Sequence, residues 1–226
     1  MNRWLIAGSL ALVSTTALAD QSNGFYMGLG GGNARYDVSK SAFDAISISA
    51  FLDNGAIPVN PTSSFDDSGT AWSLIAGYRF ASFIAVEGGY LDLGSAEYRN
   101  SSNVLIPGLG TFPSTVGIDL SSRGPFAAAR LGAPLGAKFD VHTHLGAFFS
   151  RTEFDIGLTL GTFNGNEKVS SNSLDLFAGV GLGYHFTDEL AASVDYLRFK
   201  DVGEENETGE GDVTSFRIGL TYTFPR

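Results

Sequence analysis

The chain has 226 residues, no cysteine, a formal net charge of −10, and an abundance of glycine (29) and phenylalanine (18). The missing cysteine excludes a disulfide scaffold, a thiolate nucleophile and thiolate metal sites. The acidic balance argues against nucleic acid as a partner, which calls for clustered lysine and arginine, and it leaves no polybasic handle for an anionic membrane surface.

The N-terminus reads as a leader. Arg3 gives a positive start, residues 4–13 are apolar and uncharged, and Ala17-Leu18-Ala19 offers a small-x-small cleavage pattern before Asp20. Residues 1–19 are therefore expected to be a secretory signal peptide, and residues 20–226 a single exported domain. After the leader there is no apolar run long enough for a helical membrane span.

From there the chain alternates with period two, in segments of about ten residues, the length a tilted membrane strand needs. Residues 25–35 set Phe25, Met27 and Leu29 against Gly28, Gly30 and Gly32. Residues 70–80 set Trp72, Leu74, Ala76, Tyr78 and Phe80 against Ser73, Gly77 and Arg79, and residues 83–93 set Ile84, Val86 and Tyr90 against Glu87 and Gly89. Segments 125–134 and 139–152 follow, the second placing His142, His144, Gly146 and Ser150 on one face. The clearest alternation is 174–186, where Leu174, Leu176, Ala178, Val180, Leu182, Tyr184 and Phe186 oppose a face that is largely glycine. Segments 190–199 and 215–224 close the series, with Asp195 and Arg217 opposite their apolar faces.

Eight segments of this kind imply an all-β fold. The expected form is an eight-stranded antiparallel up-and-down transmembrane β-barrel, apolar outside and polar or glycine inside. Connection lengths alternate as well. Short periplasmic turns are expected at 81–82, 135–138 and 187–189, and four long outer loops at 38–69, 100–123, 154–173 and 200–212. No helical periodicity stands out over a long window. Tyr26, Ile75, Phe83, Leu91, Phe126, Phe148, Phe177, Leu197 and Phe199 fall on the inner face, and most are expected near strand ends. A soluble lipocalin-like barrel is the rival fold, with its apolar residues turned inward around a ligand.

Several runs resemble the small outer-membrane barrels typified by the OmpA transmembrane domain. They are Ala129-Arg130-Leu131-Gly132-Ala133-Pro134-Leu135 with the following Phe139-Asp140-Val141-His142, then Val86-Glu87-Gly88-Gly89-Tyr90, Phe177-Ala178-Gly179-Val180 and Asp195-Tyr196. Tyr222-Thr223-Phe224 is similar to the alternating aromatic end by which such barrels are presented to the assembly machinery, although Pro225-Arg226 follow it here. The resemblance implies residence in the bacterial outer membrane, contact with its lipid and lipopolysaccharide, and a lumenal ion-pair network. Glu87 matches the family's third-strand carboxylate, Arg130 stands where a lysine is usual, and Asp195 matches a seventh-strand carboxylate. Ser193 and Gly183 stand where a partner arginine and glutamate are expected, so the implied network is thinned. The family's peptidoglycan-binding domain is not matched, and no cell-wall tether is expected.

Arg79, Glu87, Arg130, Asp195 and Arg217 share the inward parity and make the candidate site, as a structural network or as pore lining. Glu87 is expected to pair with Arg130. His142, His144 and His185 also read as inward. Two histidines at i, i+2 suit a metal or a base, but no third ligand and no hydroxyl nucleophile accompany them in sequence, so neither metal, cofactor nor catalysis is expected. The acidic stretch with Asp201, Glu204, Glu205, Glu207, Glu210 and Asp212 lacks the spacing of a calcium loop and reads as solvated. The leading functional expectation is a structural or surface-interaction role through the outer loops, with a host or surface ligand as partner. A narrow porin-like channel for ions or small polar solutes is the alternative, and a lipid-modifying enzyme the weaker one.

Overall fold

The computed structural model describes residues 23–204 and 208–225. The expected signal peptide, 1–19, lies outside them, as do Glu205 and Glu207 of the acidic stretch. In chain order the elements are β1 (Gly24–Tyr36), α1 (Lys40–Asp53), β2 (Ile57–Asp66), β3 (Ser68–Ala81), β4 (Ile84–Ile106), β5 (Gly110–Leu135), β6 (Phe139–Leu160), β7 (Phe163–His185), β8 (Leu190–Glu204) and β9 (Gly209–Thr223). All strand pairs are antiparallel. The order β4-β3-β1-β9-β8-β7-β6-β5 returns to β4, so the lower halves of eight staves close a ring.

The ninth strand, β2, is an extension of one stave. It pairs with the outer half of β4, from Asp66 opposite Glu97 to Ile57 opposite Leu105, where β3 no longer reaches. A bulge between Asp92 and Ser95 marks the handover. Gly94 sits in it at φ +69, and a β-carbon there would press on the backbone of Thr70. Only glycine fits that conformation and that approach.

Along the lower half of the barrel the usual order of a soluble protein is inverted. Leu29, Leu74, Val86, Leu145, Leu176, Val180, Leu182 and Ile218 point outward and are exposed, while Ser73, Arg79, Glu87, His142, His144, Asp195 and Arg217 are buried inside. A continuous apolar exterior over a polar interior is stable only with hydrocarbon around it. Aromatic residues mark both limits of the band. Phe25, Tyr78, Phe80, Phe139, Tyr184, Phe186, Tyr222 and Phe224 cluster near the short turns, and Trp72 stacks on Tyr90 at 5.8 Å towards the other end.

The second and third long connections are almost wholly strand. β4, β5, β6 and β7 run 22 to 26 residues, more than twice a membrane crossing, and their ladders continue to tight turns after Ile106 and Leu160. The reason is a change of sign in the alternation. Above the bilayer the outward residues meet water and become polar (Glu97, Arg99, Ser101, Asn103), while Tyr98, Val104, Val116, Ile118 and Leu120 turn inward and are buried. Period two persists with its faces exchanged.

The first connection also contradicts the expectation of no helix. Ser39 caps α1 by accepting from the Ala42 amide at 3.3 Å, residues 40–53 contain neither glycine nor proline, and Asn54-Gly55 ends the helix with Gly55 at φ +71. Phe43, Ser47 and Phe51, spaced by four, form its buried stripe. Phe43 stacks on Tyr98 at 5.4 Å and Phe154 at 6.2 Å and meets Phe65 at 5.3 Å, so the helix sits on the inward face of the raised wall.

Candidate functional site

The lumen near the short turns holds one connected polar cluster. All five residues singled out by parity lie within it, at 6% relative exposure or less except Arg130, whose side chain is 14% exposed. Their partners differ from the expected ones. Arg130 pairs with Asp140 at 2.7 Å, and no Glu87–Arg130 ion pair forms. Glu87 instead accepts from the Tyr26 hydroxyl at 2.6 Å and faces His144 Nδ1 at 3.2 Å. Antiparallel register accounts for this: Glu87 lies opposite Ala128 and Arg130 opposite Ala85, one inward row apart.

Asp195 is the hub. Its Oδ2 accepts from Arg217 Nη2 at 3.1 Å and Ser193 Oγ at 2.9 Å, while its Oδ1 faces His142 Nε2 at 2.8 Å and His144 Nε2 at 3.4 Å. Arg79 lies with its guanidinium carbon 5.6 Å from the centroid of the Tyr26 ring. Asp140 is a second hub, within 2.8 Å of His142 Nδ1 and 2.9 Å of His185 Nε2. Gly183, where a glutamate is implied by the family pattern, gives Asp140 its room: a β-carbon there would overlap the Asp140 carboxylate. Asp140, one strand over, supplies a carboxylate within this cluster.

Sequence reasoning missed Asp140, Tyr26 and the three histidines as members of this network. Asp140 has inward parity on β6 but stands at the strand end, where parity is easily discounted. The remaining free volume is about 30 Å³, room for a water molecule and little more.

Farther from the short turns the lumen becomes apolar. Ile75, Leu91, Phe126, Phe148, Phe177, Leu197 and Phe199 are all buried, with Phe177–Phe199 centroids at 5.0 Å, Phe148–Phe199 at 5.4 Å and Phe126–Phe177 at 6.1 Å. This layer crosses the barrel at mid-height, not at strand ends as expected. Phe83 is the exception to the inward set, exposed beside a short turn.

Above the layer the barrel opens into a cavity of about 500 Å³. Val38, Ala42, Phe43, Ile46, Leu120, Phe154 and Val202 give it an apolar floor and wall. The helix is tied over this mouth by Asp44, which accepts from Lys40 at 2.8 Å, Ser63 at 2.6 Å and Tyr98 at 2.7 Å. Those three bonds hold the Asp44 carboxyl down at about 2, and burial pushes the Tyr98 hydroxyl up. The expected solvated acidic stretch is also structured where it is described: Asp212 binds Arg198 at 2.6 Å and Lys200 at 3.2 Å.

A family model described as the OmpA-like transmembrane domain matches residues 20–226. The chain is 25% identical over 178 residues to outer membrane protein A of Shigella flexneri, covering 78% of this chain and 46% of that protein, so it spans about half the length of this relative. Among solved structures, it is similar to the attachment invasion locus protein Ail of Yersinia pestis at 13% identity and TM-score 0.45, over 89% of this chain and 99% of the other. It is similar to the outer membrane protein OprG of Pseudomonas aeruginosa at 13% identity and TM-score 0.42, over 92% and 100%. The chain belongs to the OmpA-like transmembrane domain family, and its place is the bacterial outer membrane.

Proposed function

We propose that this is a non-enzymatic surface protein, which uses a sealed barrel as its anchor and the raised, helix-capped wall as its contact surface. The apolar layer from Ile75 to Phe199 carries this reading. An ion crossing it would shed water against seven apolar side chains, and the inward polar groups in register with them, Ser73, Asp175 and Ser215, give it little to replace the lost hydration. The lumenal charges, Arg79, Glu87, Arg130, Asp195 and Arg217, then serve stability, compensating each other in a lumen that side chains fill. Residues 1–19 act as the export leader, and residues 20–226 as one barrel domain. Contact with the assembly machinery runs through the last strand, with Tyr222, Thr223 and Phe224.

The lipid partner is met on two levels. The outward apolar band meets acyl chains. At its outer limit, beyond the exposed Phe149 and Leu174, Arg123, Arg151 and Lys168 all converge on Glu153 at 3.1–3.2 Å. Lys168 also reaches Asp155 at 3.3 Å, which leaves more positive than negative charge in the group. Such a group suits phosphates of lipopolysaccharide.

The test is a variant in which residues 39–66 and the raised hairpins are replaced by short turns at the level of Trp72. Attachment of cells displaying each form to matrix-coated surfaces is compared, with barrel assembly checked by heat-dependent gel mobility. The proposal expects an assembled barrel without attachment. Equal attachment by both forms contradicts it.

A further inference from the structure

We propose that His142, His144 and Asp195 form a buried three-ligand site for a divalent transition metal of the zinc type, lying on the periplasmic side of the apolar layer. The inference goes beyond the surface role and does not depend on it. It begins with β7. Between Phe177 and His185, Gly179, Gly181 and Gly183 leave that strand without inward side chains, so ligands on β6 and β8 reach each other across it. A β-carbon at Gly181 would overlap both His142 Nε2 and Asp195 Oδ1. The three donor atoms, Nε2, Nε2 and Oδ1, all lie within 4.8 Å of one another, with His142–Asp195 at 2.8 Å and His144–Asp195 at 3.4 Å. Tetrahedral ligands at zinc–nitrogen and zinc–oxygen bond lengths sit roughly 3.3 Å apart, so small ring rotations bring this set into register.

The outer partners make the same point independently. Each ligand imidazole turns its other nitrogen to a carboxylate: His142 Nδ1 to Asp140 at 2.8 Å, His144 Nδ1 to Glu87 at 3.2 Å. Histidines that bind zinc carry this arrangement, which fixes the tautomer with its free lone pair on Nε2. In the tautomer that donates Nδ1–H outward, both Nε2 lone pairs point at the Asp195 oxygen, although the donor Arg130 Nη2 also lies 2.8 Å from His142 Nδ1. Without a metal, Nε2–H donation or ring protonation meets that contact; with one, the ion takes both lone pairs. His144 Nε2 is buried in a residue only 4% exposed and faces Asp195 Oδ1 at 3.4 Å without good hydrogen-bond geometry. A divalent cation between the rings and Asp195 would be held by both Nε2 lone pairs and the carboxylate oxygen.

The remaining features fit a catalytically silent, stapling site. Arg217 and Ser193 hold Asp195 Oδ2 and leave Oδ1 for the metal. The adjoining cavity of about 30 Å³ accommodates one water as the fourth ligand, and Ala191, Ala192 and Thr221 line it. The bound ion would tie β6 to β8 across a strand that contributes no side chain of its own.

The experiment uses folded protein prepared in chelator and then dialysed against zinc or cobalt, with bound metal measured by elemental analysis. The expected result is one equivalent of zinc per chain, a raised temperature for loss of the folded gel band, and the intense visible bands of four-coordinate cobalt. Glu87→Gln should weaken binding by roughly 10–100-fold through loss of an outer partner. His144→Gln should weaken it further and abolish the cobalt bands, while His185→Gln retains them. Asp195→Asn is the harsher variant and is read only from its folded fraction. No stoichiometric metal in folded wild type, or a six-coordinate cobalt spectrum, would overturn the proposal. Undiminished binding by a folded double variant, His142→Gln with His144→Gln, would overturn it too.

Discussion

Below the aromatic layer, inward side chains are charged, and they satisfy one another from opposite sides of the ring. Above it, Tyr98, Val104, Val116 and Ile118 turn inward among buried Asn100, Ser114, Ser122 and Thr152 and pack on an inserted helix. In the lower region bilayer hydrocarbon covers the outside, so polar groups have only the lumen to occupy, and the ring is narrow enough for Arg217, Asp195, His142 and Asp140 to meet. In the upper region water covers the outside, the polar groups turn outward, and the inward apolar face needs a partner, which Phe43 and Phe51 of α1 provide. Strand parity says which face a residue is on. The surrounding solvent decides which chemistry that face carries.

Several substitutions break or sharpen this contrast. The largest effect is expected from Asp195→Ala, which strands Arg217 in the lumen and should cost about 3–5 kcal/mol in urea unfolding followed by gel mobility. Loss below 1 kcal/mol would mean the lower cluster is not a coupled network. Phe177→Ala should cost about 3 kcal/mol by leaving a cavity in the apolar layer. Combined with Phe199→Ala, it should also admit ions that the native layer excludes. Phe43→Ala acts on the upper region alone: proteolysis within residues 40–53 should rise steeply while the folded gel band remains unchanged. Loss of the gel band would show that the helix supports the whole barrel.

Acid should separate the two regions as well. The Asp44 carboxyl is depressed from 3.8 to about 2 in the folded protein, so its contribution is present above the unfolded value and is lost as pH falls through the folded one. Protection of α1 amides, corrected for the intrinsic exchange rate, should therefore fall as pH drops from about 4 towards 2. Asp44→Asn should flatten that dependence. The smallest effect is expected for Ser39→Ala, a lost N-cap worth about 1 kcal/mol, seen as faster exchange confined to the first turn of the helix.

The eight staves were legible because lipid on one side and a narrow lumen on the other give strong contrast between neighbours such as Leu182 and Gly183. Their upper halves were not, since at Glu97, Tyr98 and Arg99 the contrast has reversed and reads as loop to an eye seeking apolar residues outside. The helix was hidden by Ser47 in the middle of its buried stripe, although Ser39, the absence of glycine and proline, and Asn54-Gly55 delimit it. For the candidate site, parity found Arg79, Glu87, Arg130, Asp195 and Arg217. It could not find their pairing, because whether Arg130 meets Glu87 or Asp140 depends on register between strands, and Asp195 lies 53 residues from His142.

The central claim is that the lumen is sealed, and single-channel recording of the folded protein in planar lipid bilayers tests it most directly. The account predicts a silent wild type and reproducible conductance steps from the Phe177→Ala, Phe199→Ala double variant. Reproducible steps from the wild type, blocked when the aromatic layer is left intact but Arg130 or Glu87 is replaced, would contradict it and make the lumen the working part of the molecule.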